Sequence, residues 1–180
     1  MWVIAGTKLR RIDPHDLHTR ARSTEIGGDP HGMWVAPPCV YVATTMPEGF
    51  VAFDTTNGKR IGAYPVGGAG EVVAGAGSLW LTGNLRQPPA ILRLDPDSPD
   101  EKADETRLSV RPANDALAVS LDGVWTADGT DTVVRVDPSG RHDPESVKVA
   151  GQPWAVAVSD SPKLIWVAQR KSDTVTQIAP

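Results

Sequence analysis

Four aspartates recur at nearly fixed distances along the 180-residue chain. Asp13, Asp54, Asp95 and Asp137 are 41, 41 and 42 residues apart. They lie in Arg-Ile-Asp-Pro (11–14), Ala-Phe-Asp-Thr (52–55), Arg-Leu-Asp-Pro (93–96) and Arg-Val-Asp-Pro (135–138). Carboxylates in series suggest calcium, but a calcium site needs roughly six to eight converging oxygens. One carboxylate per repeat keeps the side chains apart. The sequence therefore favours a structural role, in which each aspartate ends an apolar run and accepts backbone N–H groups of the next turn. The histidines do not converge either. His15 and His18 follow Asp13, His142 follows Asp137, and His31 stands alone in Gly28-Asp29-Pro30-His31-Gly32. A single histidine without neighbouring ligands is weak support for a metal. Cys39 is the one cysteine, which excludes an internal disulfide. It aligns with Ser78 at a strand start and has no histidine or acid in that strand to activate a thiolate. Gly67-Gly68-Ala69-Gly70 has the look of a phosphate loop, but it precedes a strand and lacks the helix N-terminus that would hold a phosphate. It reads as a turn between repeats. No catalytic residue, no metal and no cofactor are expected.

The elements that carry these residues follow from a second rhythm. Trp2-Val3, Tyr41-Val42, Trp80-Leu81, Trp125-Thr126 and Trp166-Val167 are spaced by 39, 39, 45 and 41 residues. Each aromatic precedes its aspartate by 11 to 15 residues, and after Trp166 the acid is replaced at Ala179. A period of that length marks a repeat architecture. Within a repeat, four short apolar stretches are separated by turn residues, and no stretch keeps a helical period. The spacing predicts strands at 33–36, 40–43, 50–53 and 60–66 in the second repeat. The third has 72–74, 79–82, 90–94 and 106–110, and the fourth 116–119, 123–127, 132–136 and 146–149. Small residues in each first strand (Ala36, Ala74, Ala118, Ala157) suit a crowded innermost position. The aromatic of the second strand suits the gap between adjacent sheets, which a body of about 150–250 Å² can fill. Arg11, Arg93 and Arg135 alternate with Ile12, Leu94 and Val136, so they lie on the opposite face from those residues, solvated or bridging sheet surfaces.

Four strands in about 40–45 residues is the design of a β-propeller blade. The expected fold is all-β, one domain with blades at 1–28, 29–69, 70–112, 113–151 and 152–180, holding 3, 4, 4, 4 and 3 strands. The motifs Trp166-Val167-Ala168, Arg135-Val136-Asp137-Pro138 and Gly151-Gln152-Pro153-Trp154-Ala155-Val156-Ala157-Val158 resemble the YVTN-type and streptogramin-lyase-like β-propeller repeats. The resemblance covers essentially the whole chain and implies blade packing. For the lyases it would imply histidines, a glutamate and Mg²⁺ on one face. That family commonly reads Trp-Phe-Thr-Glu, whereas Gly83, Asp128 or Gln169 stands at the fourth position here, so no catalytic residue is carried over. With families of this kind holding six to eight blades, the expectation is an incomplete ring. Two chains pairing edge to edge and a four-bladed ring are the other arrangements.

Composition narrows the partners. Charged residues make up 22% and the net charge is −4, which argues against nucleic acid. No apolar run approaches the ~18 residues of a membrane span, and Met1 leads at once into strand-like residues, without a leader. The compartment stays open, with an extracytoplasmic parent protein as one reading. The loops entering the first strands should line the mouth of the central channel, together with those between second and third strands. Asp29, His31, Asn114, Asp115 and Trp154 are the candidates there to bind a protein, peptide or small molecule. Against that stands the plainer reading, in which Pro-His-Gly is turn chemistry and Trp154 packs on a neighbouring loop. The expected role is a non-catalytic binding module, a portion of a bacterial sensor or secreted protein; the competing role is a lyase of the streptogramin-lyase-like group.

Overall fold

The computed structural model describes residues 1–18, 23–46, 48–67, 69–83, 89–99, 104–107, 112, 116–120, 122–161 and 163–179. Among them there is no helix. Among the described residues eighteen strands form five antiparallel sheets. The first sheet has β1 (Trp2–Ala5), β2 (Lys8–Arg11) and β3 (Thr24–Glu25). The second has β4 (Pro30–Ala36), β5 (Cys39–Thr45), β6 (Glu48–Asp54) and β7 (Arg60–Tyr64). The third has β8 (Ala69–Gly75), β9 (Ser78–Gly83), β10 (Ala90–Leu94) and β11 (Asp104–Arg107). The fourth has β12 (Leu117–Val119), β13 (Val124–Ala127), β14 (Thr132–Val136) and β15 (Glu145–Lys148), and the fifth β16 (Pro153–Asp160), β17 (Lys163–Gln169) and β18 (Thr174–Ile178). Within each sheet the strands pair in chain order. The 3, 4, 4, 4, 3 arrangement is the one the repeat predicts. The predicted strand at 106–110 lies partly outside the described residues.

Strand order sets the layout. The first strands β4, β8, β12 and β16 contact one another in succession, so they converge while the later strands spread outward. Small side chains make that convergence possible. At Gly75 an added Cβ would stand 2.6 Å from Cγ1 of Val119 on the next inner strand. Because neighbouring strands run in opposite directions, the turns after first and third strands open at one rim. The turns after second and fourth strands open at the other.

The core is divided among the gaps between sheets. Alternation gives each middle sheet two apolar faces. In the second sheet Val40, Val42, Val51 and Phe53 face the first sheet, packing with Leu9, Ile26 and Trp2. Tyr41, Ala43, Phe50 and Ala52 face the third, against Val72, Leu79, Leu81 and Leu92. Trp80 crosses to Leu117, Val124, Val134 and Val136 of the fourth sheet. Trp125 crosses to Ile165 and Val167 of the fifth. Each second-strand aromatic therefore packs on the sheet that follows it in the chain. Trp166 holds the same position in the fifth sheet and is 41% exposed.

The arginines are more specific than alternation alone indicates. Register pairs Trp2 with Arg11, Trp80 with Arg93 and Trp125 with Arg135. The Arg93 guanidinium lies 5.7 Å from the Trp80 ring centroid, and its Nε donates to the Ser78 hydroxyl at 2.9 Å. Arg11 Nη1 donates to the Thr56 carbonyl of the next repeat at 3.2 Å. Each guanidinium tethers a rim turn beside its aromatic.

Candidate functional site

Of the five residues assigned to the channel mouth, Asp29, His31 and Trp154 are described; Asn114 and Asp115 lie outside the described residues. The strands β4 and β8 begin earlier than the apolar pattern predicts, at Pro30 and Ala69, and β16 begins at Pro153, so His31 and Trp154 are strand residues. Both fall at a register shift, between Pro30 and Gly32 in β4 and between Pro153 and Ala155 in β16. A third shift sits between Ala69 and Val72 in β8. An extra residue in a strand turns its side chain out of the alternation, and proline at a strand start supplies no donor there. The His31 Nε2 is hydrogen-bonded with the Gly70 carbonyl, at the equivalent shift one repeat on. The Trp154 ring carries the Arg170 guanidinium 4.8 Å from its centroid. Asp29 receives the Thr45 N–H at its carbonyl, 3.0 Å, and the Thr45 hydroxyl at Oδ2, 3.4 Å. All three side chains hold neighbouring backbone or loops together while remaining exposed on that rim.

The recurring aspartates bind their own turns. Oδ1 of Asp13, Asp54, Asp95 and Asp137 accepts the backbone N–H two residues on, from His15, Thr56, Asp97 and Ser139. Asp137 goes further. It also accepts from the Ser139 hydroxyl at 2.7 Å, from the N–H groups of Arg141 and His142 at 3.2 Å, and it shares a 2.7 Å contact with the His142 Nδ1. The Ser139 hydroxyl, followed by the backbone N–H of Ser139 and the His142 ring, holds the Asp137 carboxyl far below the usual carboxylate range. The Thr56 hydroxyl and its N–H lower Asp54 in the same way. At the opposite rim burial disfavours the Asp128 carboxylate, but the Thr130 hydroxyl and the N–H groups of Thr130, Thr132 and Asp131 outweigh it and its pKa is lowered. Among the described residues no group of three His, Cys, Asp or Glu side chains converges as a metal site.

These shifts fix a pH dependence. A carboxyl with a folded pKa below its unfolded value, about 3.9 for Asp, adds stability that is complete above that unfolded value. The contribution is lost as pH falls toward the folded pKa. The melting temperature should therefore hold steady from neutral pH to about pH 4 and fall below it. Asp137→Asn should melt lower at neutral pH and lose less on acidification. Thermal unfolding followed by circular dichroism at stepped pH checks both expectations; parallel acid profiles for the two proteins would overturn the turn-cap reading.

The rim that carries the aspartate turns also holds a groove of about 1300 Å³ between the fourth and fifth sheets. Its floor is apolar: Trp125 and Val147 on one side, Val158, Ile165 and Ile178 on the other. Its margin is charged. Lys163 Nζ pairs with the Asp122 carboxylate. Arg135 donates from Nη2 to the Asp122 carbonyl at 2.6 Å and from Nη1 to Glu145 at 3.2 Å. His142 and Asp137, in contact with each other, also line it. Carboxylates of Asp122, Asp137, Asp143, Glu145 and Asp160 outnumber the cations of Arg93, Arg135 and Lys163. Exposed pairs of this kind are each worth about 0–1 kcal/mol, so their effect is to hold charges in place around the groove.

The sequence reading missed this groove, although a signal existed. Asp122 and Lys163 are 41 residues apart, one repeat, so they occupy the same turn of adjacent sheets. The groove also contains a serine, a histidine and an aspartate, but their wiring is not that of an activated nucleophile. The Ser139 hydroxyl donates to Asp137 rather than to an imidazole that could take its proton, as nucleophilic catalysis needs.

No protein-family model matches the chain, and no curated protein does. Solved structures match closely in shape. Hydrazine synthase from Kuenenia stuttgartiensis superposes with a TM-score of 0.80 at 14% identity, over 99% of this chain and 68% of that one. The β-propeller domain of Myceliophteria thermophila Cps50 (Swd1) gives 0.77 at 13% identity, over 96% and 59%. The Pan2 WD40 domain of Neurospora crassa gives 0.71 at 12% identity, over 93% and 55%. At such identities the likeness shows the fold, which is a β-propeller.

Proposed function

We propose that this chain is a non-catalytic β-propeller binding module. The single observation that carries the reading is the groove between the fourth and fifth sheets. It has an apolar floor and a charged margin in which Lys163 is paired with Asp122 and Arg135 with Glu145, which is the make-up of a binding site. The excess of carboxylates favours a ligand with an apolar body and a cationic or zwitterionic end, such as a short basic peptide or an amine. The channel-mouth residues Asp29, His31 and Trp154 offer a second surface on the opposite rim, with side chains engaged in local contacts. The kinship with YVTN-type repeats, and a role within a bacterial sensor or secreted protein, rest on the sequence motifs.

The test is a panel of amines, amino acids and short peptides screened by ligand-observed NMR. Val147→Trp should fill the groove and abolish binding of the hits, while His31→Ala on the other rim should leave it intact. Hits that survive Val147→Trp and vanish with His31→Ala would move the site to the channel mouth and overturn the groove assignment.

A further inference from the structure

Two neighbouring repeats differ at one point beside the groove. In the third sheet the Arg93 Nε–H donates to the Ser78 hydroxyl at 2.9 Å, and the Trp80 Nε1–H donates to the Gly75 carbonyl at 3.0 Å. Register puts Arg135 beside Trp125 in the fourth sheet just as it puts Arg93 beside Trp80 in the third. Trp80 and Trp125 are 45 residues apart, and 45 residues after Ser78 comes Gly123, which has no side chain to accept a bond. Arg135 uses its two terminal nitrogens on the Asp122 carbonyl and on Glu145. Among the described residues neither its Nε–H nor the Trp125 Nε1–H has an acceptor.

The two donors are close together. An ideal Cβ on Gly123 would stand 3.0 Å from both the Arg135 Nε and the Trp125 Nε1, so the nitrogens are no more than twice that distance apart. Both residues line the groove. Trp125 is 5% exposed, and an indole N–H that is so buried usually has a partner. Both belong to the fourth sheet, which has a sheet packed on either side, so their surroundings are set inside the chain. Two N–H donors, one of them on a guanidinium, complement a carboxylate, which presents two oxygens and strengthens each bond by its charge.

We propose that the Arg135 Nε–H and the Trp125 Nε1–H hold the carboxylate of an apolar α-amino acid bound in the groove. The proposal rests on the groove being the binding site, and it narrows the ligand from any amine to a zwitterion. A plain carboxylate is disfavoured by the acidic margin, and a plain amine leaves both donors unmet. An α-amino acid satisfies both, because one carbon separates its ammonium from its carboxylate. Asp122 and Glu145, each in contact with Arg135, bring the acidic margin beside the two donors. The apolar side chain then lies on the floor of Val147, Val158 and Ile165.

The experiment is calorimetric titration of the full chain with phenylalanine and with phenethylamine, the same compound without its carboxylate. Phenylalanine should bind at least about tenfold tighter, the least that one charge-assisted hydrogen bond contributes. Gly123→Ser restores the acceptor that Ser78 supplies one repeat earlier. It should bring phenylalanine down to the affinity of phenethylamine and leave phenethylamine as it was. Trp125→Phe keeps an apolar ring and removes one donor, and it should narrow the difference between the probes, so the result does not hang on one variant folding. Phenylalanine binding no tighter than phenethylamine, or not at all, would overturn the carboxylate subsite, as would Gly123→Ser binding phenylalanine like wild type. The groove reading fails separately, by Val147→Trp leaving the binding of either probe intact.

Discussion

Trp80→Ala should destabilise the protein by about 3–5 kcal/mol, the range for deleting a large buried aromatic. Trp166→Ala should cost no more than about 0.5 kcal/mol, the range for surface substitutions. The two residues occupy the same position of the repeat and differ in what lies against them. Trp80 is 2% exposed, fills the gap toward Leu117, Val124, Val134 and Val136, and donates its Nε1–H to the Gly75 carbonyl at 3.0 Å. Its removal opens a cavity bounded by two sheets, leaves that carbonyl without its donor and strips the Arg93 guanidinium of its ring. At roughly 2–4 °C per kcal/mol for a chain of this size, the melting temperature should fall by about 6–20 °C in the first variant and by about 2 °C at most in the second. Equal losses in thermal unfolding would show that the aromatic stabilises its own sheet rather than the contact between sheets.

Gly49→Ala is the second large effect, expected at about 3 kcal/mol or more because collision and backbone strain act together. Gly49 has φ +149°, and a Cβ there would stand 2.1 Å from the Tyr64 carbonyl oxygen and 2.9 Å from the Val66 nitrogen. Both obstacles are backbone, tied to each other by the 2.9 Å Val66 N–H to Tyr64 carbonyl bond, so no rotamer change relieves the clash. Gly77→Ala is the control. Its φ of +72° is also unfavourable for a side chain, but nothing lies within 4 Å of the added Cβ, so strain alone costs about 1–2 kcal/mol. Denaturant unfolding should rank Gly49→Ala well below Gly77→Ala. Equal midpoints would mean that β6 and β7 can part at that point without penalty.

Much of this was legible in the chain. The aspartate turns are the clearest instance. Asp54 and Asp95 bind backbone N–H groups two residues ahead, so the interaction is complete within a few residues and carries the same signature in each repeat. Strand order was legible for a similar reason, since alternation and turn residues act over short distances. The channel-mouth residues were harder. His31 and Trp154 sit at register shifts, which break the alternation that a sequence reading relies on, and their partners Gly70 and Arg170 come from other elements.

By itself the sequence determined the period, the strands of each sheet and the turn chemistry that ends them. These are set by contacts inside one repeat, which every copy of the motif must make in order to fold. The tertiary structure alone decided the exposure of each copy. Val124-Trp125-Thr126-Ala127 and Ile165-Trp166-Val167-Ala168 are close in sequence, yet Trp125 is 5% exposed and Trp166 41%. It alone decided, too, that Lys163 meets Asp122 across two sheets beside a groove. The physical reason is common to both. Burial and charge pairing between sheets depend on what the neighbouring repeat presents about forty residues away, and a local motif carries no record of its neighbour.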